Sequence, residues 1–291
     1  MPDFRSPAFW IETWKNLYRG TRRREPRGYA SAGTWDAVAP SYGRDDPPGE
    51  EPDARVEKLL HTLERRGIGI EGRTILDVGC GHGRYAVAFA RQGADVTALD
   101  FSPAMLDRLR ETIPDDLEDR IHPVQADWRK VALEERGWAG AFDLAIANMT
   151  PAITSGASLL KLHDASRRWC FYRSWAGPRV HPLMDRLRRE LGTGPAPDGS
   201  WNLLLAFNLL YTRGVYADVE FDAVSYERRE PVEHVATFAR RFFSGFSDLP
   251  EDELASRIDG ILRSLARDGL VDRKTAGRTG VMTWRVDAHG N

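Results

Sequence analysis

The chain has 291 residues, 42% of them hydrophobic, with 41 Lys and Arg against 43 Asp and Glu and a formal net charge of −2. That is enough apolar chain for one large domain or a domain with an elaborate lid. The near-balance supplies no basic excess for a nucleic-acid partner, although it leaves room for a local basic face. Two cysteines, Cys80 and Cys170, make neither a disulfide framework nor a Cys-x-x-Cys motif. No apolar run approaches the ~20 residues of a membrane span. The opening MPDFRSPAFWIETWKNLYRG is broken by charges and lacks a leader's apolar core. A soluble cytoplasmic protein is expected.

The first fifty or so residues interleave aromatics with basic residues and end in the proline- and acid-rich DDPPGEEPD. Trp10, Trp14 and Tyr18 recur at i, i+4 and i+8, so they share one helical face. That face either packs on the main domain or lies as an aromatic lid over a pocket, and residues 1–54 are read as a helical lid. The triple arginine at 22–24 is read as solvated surface. A helix follows in ARVEKLLHTLERRG, with Val56, Leu59, Leu60 and Leu63 apolar and Gly67 as its stop.

From there apolar strands alternate with amphipathic helices. TILDVG, ADVTALD, IHPVQAD, FDLAIAN and RRWCFYRSW read as strands. RYAVAFARQG, SPAMLDRLRETI, SGASLLKLHDA and HPLMDRLRREL read as helices, the second with Ser102 as N-cap and Pro103 at its first position. Strands apolar throughout, each followed by a helix, describe a parallel sheet covered on both faces. The fold class is therefore α/β, doubly wound, with this core over residues 55–195. Beyond it, 196–291 break the alternation: WNLLLAFNLLY reads as a buried helix, VYADVEFDAVSYERREP as a long strand, then two helices and a closing strand, GVMTWRV.

The first strand runs into ILDVGCGHGRYAVAFA, where Gly79, Gly81 and Gly83 alternate with other residues. Backbone amides at such a turn approach an anionic or polar group at the helix N-terminus, and a Cβ would block them. The dinucleotide pattern G-x-G-x-x-G would need glycine at position 84, which is Arg84. D-V-G-C-G-H-G instead resembles motif I of the class I S-adenosylmethionine-dependent methyltransferases. The next strand ends at Asp100, 17 positions after Gly83. A carboxylate there can accept from both ribose hydroxyls. DFSPAML resembles the family's second motif, with Phe101 beside adenine and Met105 in the same run. QADW resembles the third, which implies that Asp127 accepts from the adenine amino group and that Trp128 covers the ring. FDLAIANMT is similar to motif IV, with Asn148 reaching toward the methionine end. In the family the acid at Asp77 sits near the cofactor's ammonium, while Asp143 is read as a local structural residue. Cys80 is read as a small packing residue in the turn, His82 as an exposed residue or a pocket residue, and Arg84 as surface or a local salt bridge.

Upstream, GTWDAVAPSYGR resembles the W/F-D-x-x-A-x-x-Y segment of the ubiquinone-biosynthesis-type methyltransferases, which implies that Tyr42 lies against the cofactor; Gly43 stands where that group has Asp. The resemblance covers about residues 34 to 180. It implies a Rossmann-like seven-stranded sheet with the last strand antiparallel, helical N-terminal and C-terminal covers, and S-adenosyl-L-methionine converted to S-adenosyl-L-homocysteine. The implied cofactor residues are Tyr42, Asp77, Gly79, Cys80, Gly81, Gly83, Asp100, Phe101, Met105, Asp127, Trp128 and Asn148, with no metal.

Methyl transfer from a sulfonium needs orientation and desolvation before acid–base chemistry. The candidate catalytic residues are Tyr42, Thr150 in the loop after Asn148, and His181 ahead of Pro182. His163 reads as a surface histidine and Tyr172 as a strand core residue. Nucleic-acid amino-methyltransferases hold the base with Asn/Asp-Pro-Pro-aromatic; here Asn148-Met149-Thr150-Pro151 lacks the first proline and the aromatic. Arsenite chemistry would need more than two scattered cysteines. A small-molecule acceptor is expected, with no nucleic acid and no membrane, and a homodimer as the candidate assembly. Two rivals stand beside the enzyme: a cofactor-binding regulator with a winged-helix segment around DGLV and the basic residues after it, and a non-catalytic member of the fold. Pairing of GVMTWRV into the central sheet would decide for a cap over a wing.

Overall fold

The computed structural model describes residues 3–17, 28–42, 53–194 and 201–286. Its frame is one seven-stranded sheet, in the order β3-β2-β1-β4-β5-β7-β6. The strands are β1 (Thr74–Val78), β2 (Asp95–Asp100), β3 (Ile121–Gln125), β4 (Phe142–Asn148), β5 (Ser166–Trp175), β6 (Asp218–Pro231) and β7 (Leu270–Arg285). β1 to β5 pair in parallel, and β7 runs antiparallel between β5 and β6. The order reverses at β1, which has β2 on one side and β4 on the other, so a crevice opens beyond its carboxyl end.

Successive strand residues face opposite sides, and this splits the core in two. Leu76, Val78, Ala145, Tyr172 and Trp284 pack under α1 (Pro7–Leu17), α6 (Gly156–Ala165) and α8 (Asn202–Thr212). Ile75, Val96, Leu144 and Phe171 pack under α3 (Ala54–Arg65), α4 (Arg84–Arg91) and α5 (Pro103–Thr112). α5 starts as its sequence requires: the Ser102 hydroxyl accepts from Met105 N, with Pro103 at the first position.

A third cluster stands apart from the sheet. α7 (Pro182–Leu191), α9 (Val232–Ser244) and α10 (Glu251–Leu265) bury Leu187, Phe242, Phe243 and Ile258 together, with Tyr29 and Val38 packed on. α7, read with the core, thus belongs to the cap. β5 pairs with β7 only from Trp169↔Arg285 to Trp175↔Thr279, while β6 and β7 stay paired out to Pro231↔Leu270. The outer half of this ribbon therefore continues past the carboxyl ends of the parallel strands and carries the cap there. GVMTWR lies inside β7 and pairs with β5 and β6, and Val286 just beyond donates to Arg168 O, so the segment is part of the sheet, the pairing that decides for a cap over a wing.

The N-terminal lid divides. α1 packs on α6 and α8, and Trp14 is fully enclosed in the first core cluster, so this aromatic face is core and not a pocket cover. Tyr18 and the triple arginine lie outside the described residues, as does most of DDPPGEEPD. Residues 28–42, with α2 (Ala32–Val38), pack against α9 and α5.

Candidate active site

All three glycines of the turn hold positive φ: Gly79 at 74°, Gly81 at 58° and Gly83 at 84°. Three reasons for glycine differ. A Cβ on Gly79 would run into the Thr150 side chain, and one on Gly83 into Leu109, whereas one on Gly81 would meet none of the described residues within 4 Å. Gly81 thus faces open space, where a ligand can come against bare backbone. Asp100 holds the turn: its Oδ2 accepts from Gly81 N at 2.9 Å and its Oδ1 from Ser102 N at 2.9 Å. Burial pushes its carboxyl up, against those backbone donors. Each oxygen keeps lone-pair capacity for a further donor.

Asp77 lies beneath the turn with Oδ2 buried and in no hydrogen bond. Burial, and then the Asp100 carboxylate, push its pKa from 3.8 up to about 7. A buried carboxyl oxygen that no described donor meets fits a cation or an N–H group. At the end of β4 both amide atoms of Asn148 are buried and neither completes a hydrogen bond of good geometry. The Tyr85 phenol of α4 comes near them; burial raises its pKa and Asn148 opposes the rise. Met149, next in the chain, has φ 52°, a strained backbone for a side-chain-bearing residue, and its N–H donates to Arg173 O at 2.9 Å. Thr150 lies on the glycine turn itself, with Oγ1 accepting from Ala152 N at 3.2 Å.

At the adenine end the expectations need correcting. Both Asp127 oxygens are taken by Arg129, at 2.7 Å from Nε and 2.8 Å from Nη2. Against burial, which raises it, that guanidinium holds the Asp127 carboxyl below its usual range. The same guanidinium lies 5.7 Å over the Phe101 ring. Trp128 is 1% exposed in the sheet core, its Nε1 donating to Ser158 O, so its ring has no free face to cover a base. Met105 is likewise 1% exposed and packs in the core. Cys80 is a buried free thiol in the second core cluster.

Tyr42 remains 43% exposed, its ring set edge-on against His82 at 5.5 Å and Trp35 at 5.8 Å. Burial, then Arg108 and Arg55, push His82 down to about 4. Arg108 fixes the segment by donating to Ala39 O and Tyr42 O, and Asp36 accepts from Ser102 Oγ at 2.6 Å. The Asp of the W-D-x-x-A-x-x-Y pattern thus ties α2 to the start of α5. Arg84 pairs with Asp53 at 2.6 Å.

His181 is not brought to the turn. It is 6% exposed at the start of α7, with Nδ1 unpartnered, and burial, then Arg273 and Arg179, push it down to about 4. His163 is not on the surface: it is buried and accepts from Trp284 Nε1 at 3.0 Å. Tyr172 is core, as expected. Asp143 binds Thr74 and Arg167, a structural role. A separate cleft of about 530 Å³ lies between α2, α9 and α10 and includes none of the turn residues. Sequence reasoning gave no role to Arg173, Arg129, Asp36 and Tyr85; Asp36 left a signal as the acid of the W-D-x-x-A-x-x-Y pattern, and Arg173 as a charge directly after the apolar run Trp169 to Tyr172.

Residues 75–169 match the family model described as a methyltransferase domain. Among curated relatives, the chain is 37% identical over 118 residues to a ubiquinone biosynthesis O-methyltransferase of Alkalilimnicola ehrlichii, covering 40% of this chain and 44% of that one. It is 33% identical over 91 residues to a magnesium-protoporphyrin O-methyltransferase of Rhodobacter capsulatus, covering 31% of this chain and 41% of that one. The chain thus spans less than half the length of these relatives. Among solved structures, a magnesium protoporphyrin IX methyltransferase from Synechocystis, solved with S-adenosylhomocysteine, overlaps 96% of this chain and 97% of its own at 12% identity and a TM-score of 0.44. Sheet order, glycine turn and matched segment together define the class: the α/β core is a Rossmann-like methyltransferase domain. The match is to a methyltransferase domain and covers residues 75–169, the part of the chain that holds the glycine turn and strands β1 to β4.

Proposed function

We propose that this chain transfers a methyl group from S-adenosyl-L-methionine to a small-molecule acceptor, releasing S-adenosyl-L-homocysteine. One observation carries the reading: open space at Gly81, beside the buried Asp77 Oδ2, which no described group bonds, and the buried Asn148 amide, at the carboxyl end of a methyltransferase-domain sheet. These groups fit the cofactor's chemistry. Asp77 offers a carboxylate to an ammonium, Asp100 remaining lone pairs to ribose hydroxyls, and Phe101 an apolar face to adenine. When bound, the cofactor supplies an electrophilic methyl on a sulfonium.

The chain's own part is to hold two reactants in line and keep water away. Asn148, the strained Met149 and Thr150 form the floor where an acceptor would meet the methyl. Tyr42, the β6–β7 ribbon and the cap would close over it. Tyr42 is the only expected catalytic group with an exposed side chain beside the turn, and burial raises its phenol pKa, so it is the candidate to orient the acceptor's hydroxyl as a neutral phenol; His181 drops from that role. The O-methyltransferase relatives favour an oxygen acceptor. Cytoplasmic residence belongs to the same reading and rests on the two free thiols; among the described residues no helix is long and apolar enough to cross a membrane. The homodimer expectation would put a second copy on edge strand β6, and sedimentation velocity reads it.

The test is transfer of a radiolabelled methyl from S-adenosylmethionine across a panel of hydroxylated aromatic and aliphatic compounds. Labelled product with stoichiometric S-adenosylhomocysteine is the expected outcome. Cofactor binding without turnover of any acceptor would favour the regulator or the non-catalytic member of the fold.

A further inference from the structure

Arg173 stands at the carboxyl end of β5, in register with Asn148 on β4 and with Val281 on β7. Paired residues on neighbouring strands project to the same side of a sheet, so Arg173 and Asn148 stand together on the α4 face, near the carboxyl ends of their strands. Both groups also act on the Tyr85 phenol. The Arg173 Nη2 donates to Thr279 Oγ1 at 3.1 Å. Its Nε is buried and donates to nothing, and the guanidinium makes no ion pair among the described residues. The neighbouring arginines differ, since Arg84 and Arg55 both pair with Asp53.

An arginine stays charged at every physiological pH, and a buried N–H left unmade carries a penalty. The chain keeps such a cation beside the point where the acceptor would lie. Its Nε–H is left unmade beside the Nη2 that holds Thr279, and a carboxylate is the acceptor that a planar guanidinium edge matches. We propose that Arg173 is a specificity-determining residue that binds a carboxylate on the methyl acceptor, so the substrate class is small hydroxylated carboxylic acids. This rests on the methyltransferase reading of the glycine turn. It sets the acceptor's polar anchor on β5, with its hydroxyl directed back over Asn148 and Met149 toward the turn.

The test uses the full chain saturated with S-adenosylhomocysteine and a matched pair of probes, 3,4-dihydroxybenzoate and its methyl ester. By calorimetry the wild type is expected to bind the acid at least tenfold tighter than the ester. Arg173→Gln should abolish that preference, and Arg173→Lys should keep part of it, as a point charge without the fork. Both variants should bind S-adenosylhomocysteine within twofold of wild type, which also shows that they fold. A merely structural arginine would weaken acid and ester equally. The proposal is overturned if the wild type does not prefer the acid, or if Arg173→Gln keeps the preference. It is overturned too if Arg173→Gln loses S-adenosylhomocysteine, because the guanidinium would then serve the cofactor's own carboxylate. Failure of the wild type to bind S-adenosylhomocysteine at all would instead sink the methyltransferase reading, and this assignment with it.

Discussion

Asp77→Asn removes one charge and keeps the side chain's shape, and it should strengthen the free protein while disabling it. Asp77 is buried, its Oδ2 has no donor, and its pKa stands at about 7 against an ordinary 3.8. At about 1.4 kcal/mol per tenfold change, ionising it inside the fold costs about 4 kcal/mol. Because the folded-state pKa is raised, the folded chain binds more protons than the unfolded one between about pH 4 and 7. Stability is then full below pH 4 and falls as pH rises to about 7. Asparagine does not titrate, but its buried amide carries a cost of its own of about 1–3 kcal/mol. The variant's advantage over wild type should therefore widen by up to about 4 kcal/mol between pH 4 and 8 and level off above. Urea denaturation followed by tryptophan fluorescence at several pH values reads this directly. A variant destabilised by the same amount at every pH would refute the reasoning, since Asp77 would then be ionised and paired in the free fold.

Other outcomes follow from the same geometry. If Asp77 must be ionised to meet the cofactor's ammonium, S-adenosylhomocysteine affinity should fall about tenfold per pH unit below 7, and binding at pH 6.5 should release a proton, read by calorimetry in buffers of different ionisation enthalpy. His82 and His181, both held near 4, should add no limb to the pH–rate profile between 5 and 8, and the profiles of His82→Gln and His181→Gln should match wild type. Gly81→Ala, with no clash and only the left-handed backbone against it, should cost stability about 1–2 kcal/mol yet impair cofactor binding severely. Gly79→Ala, blocked by Thr150, should lose stability first, and thermal melts beside binding isotherms separate the two. Trp14→Ala should lower stability by about 3–5 kcal/mol, where a lid residue would lower activity alone; chemical denaturation decides.

How much of this was legible in the chain differs by element. The alternation of apolar strands with amphipathic helices gave the sheet, because strands buried on both faces leave nothing polar to confuse the pattern. The glycine spacing gave the turn, since positive φ and bare backbone are demands that only one residue type meets. The edges of the fold were harder. α7 reads as one more crossover helix, and nothing local says that its Leu183, Leu187 and Leu191 will pack with α9 and α10 rather than on the sheet. Strand β7 begins ten residues before GVMTWRV, because the polar Asp272, Arg273 and Lys274 pair with β6 in a ribbon outside the core. In the site, the family pattern pointed to Asp77, Asp100 and Asn148, which lie toward the carboxyl ends of β1, β2 and β4. It misjudged Trp128 and Met105, whose side chains turn into the core. Arg173 and Arg129 matter through what they touch, or fail to touch, across strands, and one-dimensional spacing carries no such information.

The central claim is that the glycine turn is a nucleoside-cofactor site anchored by Asp100. Calorimetric titration of S-adenosylhomocysteine into the wild type and Asp100→Asn tests it most directly. The wild type should bind in a one-to-one ratio, and the variant, which retains the side chain's shape but not its charge, should bind on the order of a hundredfold more weakly, about 3 kcal/mol. No binding to the wild type, or equal binding to both proteins, would contradict it and point to a different ligand in the same crevice.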